Sequence, residues 1–198
     1  MQPIITPVET ISQKFTRIIH SIEGDDITIN SLLLELQKRS FGGVFLLLAV
    51  VSIIPAINTI TGLMIVVVGI QMALQYPAPY IFSSLRKRTV QKETLEQAFK
   101  VISRVLEKTE RHAKPRLTYI FKPFLLSVLG IAIAALAIFI TLPIPFTNFL
   151  PIVCITILSI GLLEKDGLWV LVGLGFTLLT MIICVVIIVV LLQSLTLF

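Results

Sequence analysis

A chain of 198 residues with a net charge of +5 would ordinarily make one domain or two small ones. Here 56% of the residues are hydrophobic and 14% charged, against roughly 45–50% and about 25% in a soluble domain. The mean hydropathy of +1.00 is more than a water-exposed surface can hide, which excludes the usual soluble enzyme folds and specifies an integral membrane protein.

The charge is unevenly placed. Residues 1–40 carry four basic and five acidic groups, whereas residues 83–123 carry eleven basic and four acidic ones. Beyond Lys122 only Glu164, Lys165 and Asp166 are charged. Short loops rich in Lys and Arg stay cytoplasmic, so the segment 83–123 is expected there. A basic patch can also bind nucleic acid, but beside apolar segments it reads as a topology signal or a lipid-headgroup contact. The expected partner is therefore the bilayer and no nucleic acid.

In chain order, Val8, Ile11, Phe15, Ile18, Ile19 and Ile22 share one helical face. That helix is too polar to cross a bilayer and is expected to lie on the membrane or on the protein. A basic start followed by an apolar core is absent from the first 40 residues, so no cleavable signal peptide is expected. A second short helix through Leu32, Leu33 and Leu36 can be capped by Asn30 or Ser31. Residues 1–40 thus form an amphipathic cytoplasmic region.

Residues 41–82 form a first membrane hairpin. The fourteen residues 41–54 are apolar and span about 21 Å, short of the roughly 30 Å hydrocarbon core. Pro55 interrupts them, and a second apolar run covers Gly62 to Leu74. The turn Pro55-Ala-Ile-Asn58 suits a re-entrant tip, where irregular backbone needs protein or water to satisfy it. Tyr76 and Tyr80, with Pro77 and Pro79, mark an exit at the interface. The basic loop 83–123 carries an amphipathic helix over 94–108, with Thr94 and Gln97 as a capping box and Leu95, Phe99, Ile102 and Leu106 as its apolar stripe.

The segment 124–198 holds a second hairpin and a C-terminal transmembrane helix. Phe124 to Leu142 is apolar and nearly long enough to span. It ends in a turn containing Pro143, Pro145, Asn148 and Pro151, after which a short apolar run over 152–163 stops at Glu164. Leu168 to Leu192 is free of charge and proline and is the clearest transmembrane helix. The expected fold is all-α, a polytopic membrane protein with four to five apolar helical segments, broken or re-entrant hairpins among them, plus amphipathic interfacial helices.

The two interrupted regions echo each other. Pro55-Ala-Ile-Asn58 matches Pro145-Phe-Thr-Asn148 at an offset of ninety residues, each between two aliphatic runs. Interrupted hydrophobic segments at corresponding places in two halves point to a substrate site near the midplane. The structural alternative is that Pro and Asn simply turn hairpins and cap freed backbone groups.

At this point the residues resemble the ExoD family of bacterial membrane proteins. The likeness runs from about Ile27 to Leu192, through ITINSLLLELQKRSFGG, Gly62 and Gln71, and ERHAKPRL at 110–117. It is most specific at LPIPFTNFLP (142–151) followed by GLLEKDG (161–167). A Tyr stands at position 80 where the family typically has Trp, and the first turn is poorer in Gly and Pro. The resemblance implies a multi-pass inner-membrane protein linked to exopolysaccharide production, with the polysaccharide machinery as a candidate partner and a homo-oligomer as a candidate assembly. It implies no particular reaction.

No catalytic set emerges, and no enzyme activity is expected. Cys154 and Cys184 lie thirty residues apart in apolar runs, without a Cys/His cluster at metal spacing, so neither metal nor cofactor is expected. Pro55, Asn58, Gln71, Pro143, Pro145, Asn148 and Pro151 are the candidate pathway or broken-tip residues, because polar groups at membrane depth are costly unless paired or facing water. Arg111, Arg116, Glu164 and Asp166 are a candidate charged cluster. Asp166 before Gly167 also suits a helix N-cap. Two functions follow: a transporter or channel for a small solute or ion past the two tips, or a non-transporting scaffold or regulator of polysaccharide machinery engaging through the basic helix.

Overall fold

A computed structural model describes residues 26–28, 41–54, 57–80, 89–91, 93, 96–97, 100, 116–142 and 148–196. The N-terminal amphipathic helix, the short helix at Leu32–Leu36, most of the basic helix, and Pro55, Pro143, Pro145 and Arg111 lie outside them. Glu93 is already helical, one residue ahead of the capping position expected at Thr94.

Five α-helices dominate the described residues: α1 (Phe41–Val51), α2 (Asn58–Ala73), α3 (Pro123–Thr141), α4 (Phe149–Leu163) and α5 (Gly167–Thr196). A 3-10 turn, Thr118–Phe121, leads into α3. Two three-residue strands went unforeseen: β1 (Asp26–Thr28) pairs antiparallel with β2 (Thr89–Gln91), Ile27 opposite Val90. Ile27, Thr28, Thr89 and Val90 are β-branched, which suits extended backbone.

Pro123 opens α3 at a position whose missing N–H would be unpaired anyway. Pro151 lies inside the first turn of α4, and the helix begins two residues before it, three ahead of the apolar run 152–163. Its lost donor is among the four that any helix start leaves free, so the ring costs no internal bond.

Helices α1 and α2 form one hairpin, α3 and α4 the other, and the hairpins cross-pair. The most extensive contact is α2 against α3, and the next is α1 against α4. Both crossings use small residues. A Cβ on Gly69 would fall 2.8 Å from the Gly130 carbonyl oxygen, and one on Gly130 would fall 2.6 Å from that of Gly69. At the other seam a Cβ on Gly42 would lie 2.9 Å from the Ser159 carbonyl oxygen. Apolar helices in lipid gain little from hydrophobic burial against each other, so close backbone approach carries the association.

Helix α1 is the centre of the bundle. From Val44 to Val51 every side chain is at most 5% exposed, which explains a helix apolar on all sides. Helix α5 lies on the outside, packed antiparallel on α4 through Gly161 against Val170, Leu158 against Gly173 and Cys154 against Thr180. Its outer face is open and aliphatic, with Leu178 65% and Ile182 63% exposed. Helices α3 and α5 are the two long and apolar enough to cross a membrane; α1, α2 and α4 are shorter.

Candidate functional site

The crossed hairpins sort the candidate residues into two ends. Gly62, one turn into α2, packs on Thr141, the last residue of α3. Asn58 and Asn148 open α2 and precede α4, so both tips lie at this end. The outer ends of the four hairpin helices meet at the other, where Phe41, Met72, Pro123 and Leu162 border a common cavity.

At the tip end neither asparagine side chain caps its helix. The hydroxyls of Ser52 and Thr61 bond instead to each other and to backbone carbonyls, joining α1 to α2 at this tip. Ser52 Oγ lies 2.7 Å from Thr61 Oγ1, and Thr61 Oγ1 lies 3.0 Å from the Asn58 carbonyl and 3.1 Å from that of Ile57. Each hydroxyl has one proton: Thr61 donates to the backbone, and Ser52, which also lies 2.7 Å from the Leu48 carbonyl, shares its proton between that carbonyl and Thr61 in one polar cluster. It ties the end of α1 to the start of α2. Both side chains are buried, and an unpaired hydroxyl there would be costly. The Asn58 carboxamide oxygen accepts from Thr59 Oγ1 at 3.3 Å.

The structure does not bring Gln71 to the tips. Thirteen residues along α2, about 20 Å at the helical rise, separate it from Asn58. Its carboxamide braces the exit segment: Oε1 accepts from Tyr80 N at 2.7 Å and Nε2 donates to Tyr80 O at 3.1 Å.

The charged turn lies at the outer end. Helix α4 closes in a Schellman motif, with Lys165 at φ 51° and Asp166 N donating to Gly161 O at 2.9 Å. Asp166 then caps α5, its Oδ1 accepting from Leu168 N at 2.9 Å, while Oδ2 accepts from Arg116 Nε at 3.3 Å. Asp166 is fully buried and the Arg116 side chain is 44% exposed. Gly167 N donates to Arg116 O at 2.8 Å, and a Cβ on Gly167 would lie 2.6 Å from Leu117 O, so glycine lets this strand close on the turn. Of the candidate charged cluster, Arg116 and Asp166 meet. Glu164 is the C-cap of α4.

The cavity beside this turn has a volume of about 710 Å³. Phe41 and Gly42 of α1, Met72 of α2, Phe121 of the 3-10 turn, Leu126 of α3 and Leu162 of α4 give it a largely apolar wall. Gln75, Tyr76, Thr118 and Lys165 supply its polar groups. Sequence reasoning missed this site. Helix α2 ends as α4 does: Gln75 stands at φ 60°, with Tyr76 N donating to Gln71 O and Gln75 N to Met72 O, both at 3.0 Å. Gln75 and Lys165 are ninety residues apart, the offset of the two PxxN turns. Extending that offset past the tips would have found the pair.

Cys154 and Cys184 are buried and form no disulfide, and Cys154 Sγ lies 3.2 Å from Thr180 Oγ1. Among the described residues no group of three or more His, Cys, Asp or Glu side chains could hold a metal.

Comparison with known proteins gives one family. The model described as "Exopolysaccharide synthesis, ExoD" matches residues 11–186. Protein ExoD of Rhizobium meliloti is 28% identical over 182 residues, which cover 86% of this chain and 74% of that protein. An uncharacterised protein of Synechocystis sp. is 29% identical over 161 residues, 79% of this chain and 76% of its own. No solved structure matches the chain.

Proposed function

The chain belongs to the ExoD family, whose link is to exopolysaccharide synthesis, and on that premise we propose that it is a membrane transporter serving that process. It moves a small solute or ion between the outer cavity and the two broken tips. The observation that carries this reading is the crossed packing of the hairpins. Exchanging one hairpin for the other turns the α2–α3 contact into the α4–α1 contact, and both are present as the main seams. The ninety-residue offset relates Asn58 to Asn148 and Gln75 to Lys165 within the same exchange. Two interlocked copies of one hairpin about a pseudo-two-fold axis are a recurrent transporter plan, with the solute handled where the copies meet.

In this reading the hairpins enter from the side of the basic loop, which is cytoplasmic by its charge. The packing of α4 on α5 sets Asn148 level with about Val185, so α5 continues past the tips for about 16 Å. The tips then end in the far leaflet. Phe45, Leu46, Leu47, Leu48 and Ile65, each fully buried, fill the space between cavity and tips. Such a core makes the described conformation closed, with the cavity reached from one side only, and transport requires the two hairpins to shift against each other.

Liposome flux tests the reading. Purified protein should pass at least one member of a panel of ions and small metabolites, and Asn58→Ala with Asn148→Ala should slow that flux at unchanged thermal stability. No flux across the panel overturns transport and leaves a scaffold of the polysaccharide machinery as the surviving function.

A further inference from the structure

We propose that the outer cavity is a binding site for an anionic amphiphile, a lipid-type molecule with an apolar chain and a phosphate head group, and that Lys165 and Gln75 are its head-group ligands. This rests on the transport reading only for what is moved; as a binding site it stands by itself.

The cavity has the size and build of a ligand site. Pockets that bury a small organic ligand measure roughly 300–1,000 Å³ and are mainly apolar, with few convergent polar groups. This one, at about 710 Å³, has aromatic and aliphatic walls from Phe41, Phe121, Leu126 and Leu162. Among the described residues its lining holds one formal charge, the ammonium of Lys165, and no carboxylate. Among the described residues Lys165 makes no ion pair, because the buried acid beside it is already held by Arg116. Lys165 is exposed, so an apolar ligand would use the walls alone and leave the ammonium to water, and a zwitterion's own cation would oppose it. An amphiphile with an anionic head satisfies both parts of the lining. Exposed Tyr76 and Phe124 at this end suit the depth where lipid head groups lie.

The second observation concerns which residues stand at the two turns. A helix that ends in a left-handed residue usually ends in glycine, since a side chain is penalised there. Three non-glycine residues have positive φ among those described: Gln75, Leu117 and Lys165. Two of them, at matching places in the two hairpins, line this one cavity. Glycine would make either turn more readily. The Gln75 amide donates to Ser127 Oγ of α3 at 3.3 Å, and its position and that of the Lys165 ammonium both lie on the cavity. Strained residues of this kind gather at functional sites.

Stability and binding therefore separate under substitution by glycine. The test uses the full chain in a neutral detergent, titrated with dioctanoyl-phosphatidic acid, dioctanoyl-phosphatidylcholine and inorganic phosphate by calorimetry. Phosphatidic acid should bind at least tenfold more tightly than phosphatidylcholine, and inorganic phosphate should not bind at millimolar concentration. Lys165→Gly should lower phosphatidic acid affinity at least tenfold and Gln75→Gly severalfold, each with Tm unchanged or raised. Thr118→Trp, at an exposed position on the rim, should abolish binding of the amphiphile. Equal binding of the two lipids, phosphate binding as tightly as phosphatidic acid, or wild-type affinity in Lys165→Gly overturns the proposal. So does a lower Tm in both glycine variants, which would make the side chains structural. Binding as expected without any flux removes transport and leaves the site; flux without lipid binding removes the site and leaves transport.

Discussion

The Arg116–Asp166 contact allows a sharp prediction, because one partner is buried and the other is half in water. Replacing Arg116 by Ala removes the guanidinium from a fully buried carboxylate that also accepts the Leu168 N–H. Removing one partner of a wholly buried pair costs about 3–5 kcal/mol, but the exposed guanidinium is screened and its bond is long, so about 2 kcal/mol is expected. Replacing Asp166 by Asn keeps an oxygen for Leu168 N, since Asn caps as well as Asp, and removes the charge, for about 1 kcal/mol. In the Asp166→Asn background, Arg116→Ala should then cost less than about 0.5 kcal/mol, because no uncompensated charge remains. The coupling is therefore about 1.5 kcal/mol, readable as a double-mutant cycle in detergent-titrated unfolding. It should weaken only in part at high salt, because the carboxylate is buried while the guanidinium is half in water. Equal costs for Arg116→Ala in both backgrounds would refute the account of Asp166 as a buried charge that depends on Arg116.

Other expectations follow from the packing. Gly130→Val should disrupt the α2–α3 seam, since even a Cβ meets Gly69 O at 2.6 Å, and should give a loss of several kcal/mol or no folded protein; Gly175→Ala, with nothing within 4 Å, should be neutral in the same unfolding assay. Thr61→Val removes the hydroxyl contact between α1 and α2 while Ser52 keeps the Leu48 carbonyl, and should cost about 1 kcal/mol, while Ser52→Ala/Thr61→Val together should cost less than the sum of the single changes. With Cys154 and Cys184 replaced by Ser, single cysteines at Asn58 and Asn148 should resist a charged thiol reagent added from the basic-loop side and react alike from the other. Rapid labelling from the basic-loop side would place the tips at the wrong end.

Much of the helical layout was legible because it rests on local composition. The runs 41–54 and 62–74 became α1 and α2, and 168–192 became the body of α5, since an unbroken apolar stretch has only the helix with which to satisfy its backbone. The boundaries were less legible. Pro151 read as the end of a turn, yet it sits in the first turn of α4, where a missing N–H costs nothing. The pairing of β1 with β2 joins residues more than sixty apart, and three residues of each carry no periodic signal.

The site was legible in one half. The offset between the two PxxN turns could be read directly, and so could Asp166 as a cap. That Gln71 braces Tyr80 far from the tips could not, and the offset pairs Gln75 with Lys165 without saying that they meet at one cavity. These depend on which hairpin arm lies against which, a choice that hydrophobicity does not encode because every arm is equally apolar. Close approaches at Gly69, Gly130 and Gly42 make that choice, through the shape of backbone against backbone. Composition alone therefore determined an apolar helical chain, with segments long enough to cross a membrane, and its breaks. Only the tertiary structure decided the crossed pairing, since it is set by contacts between residues far apart in sequence, and with it the cavity where the four outer ends meet.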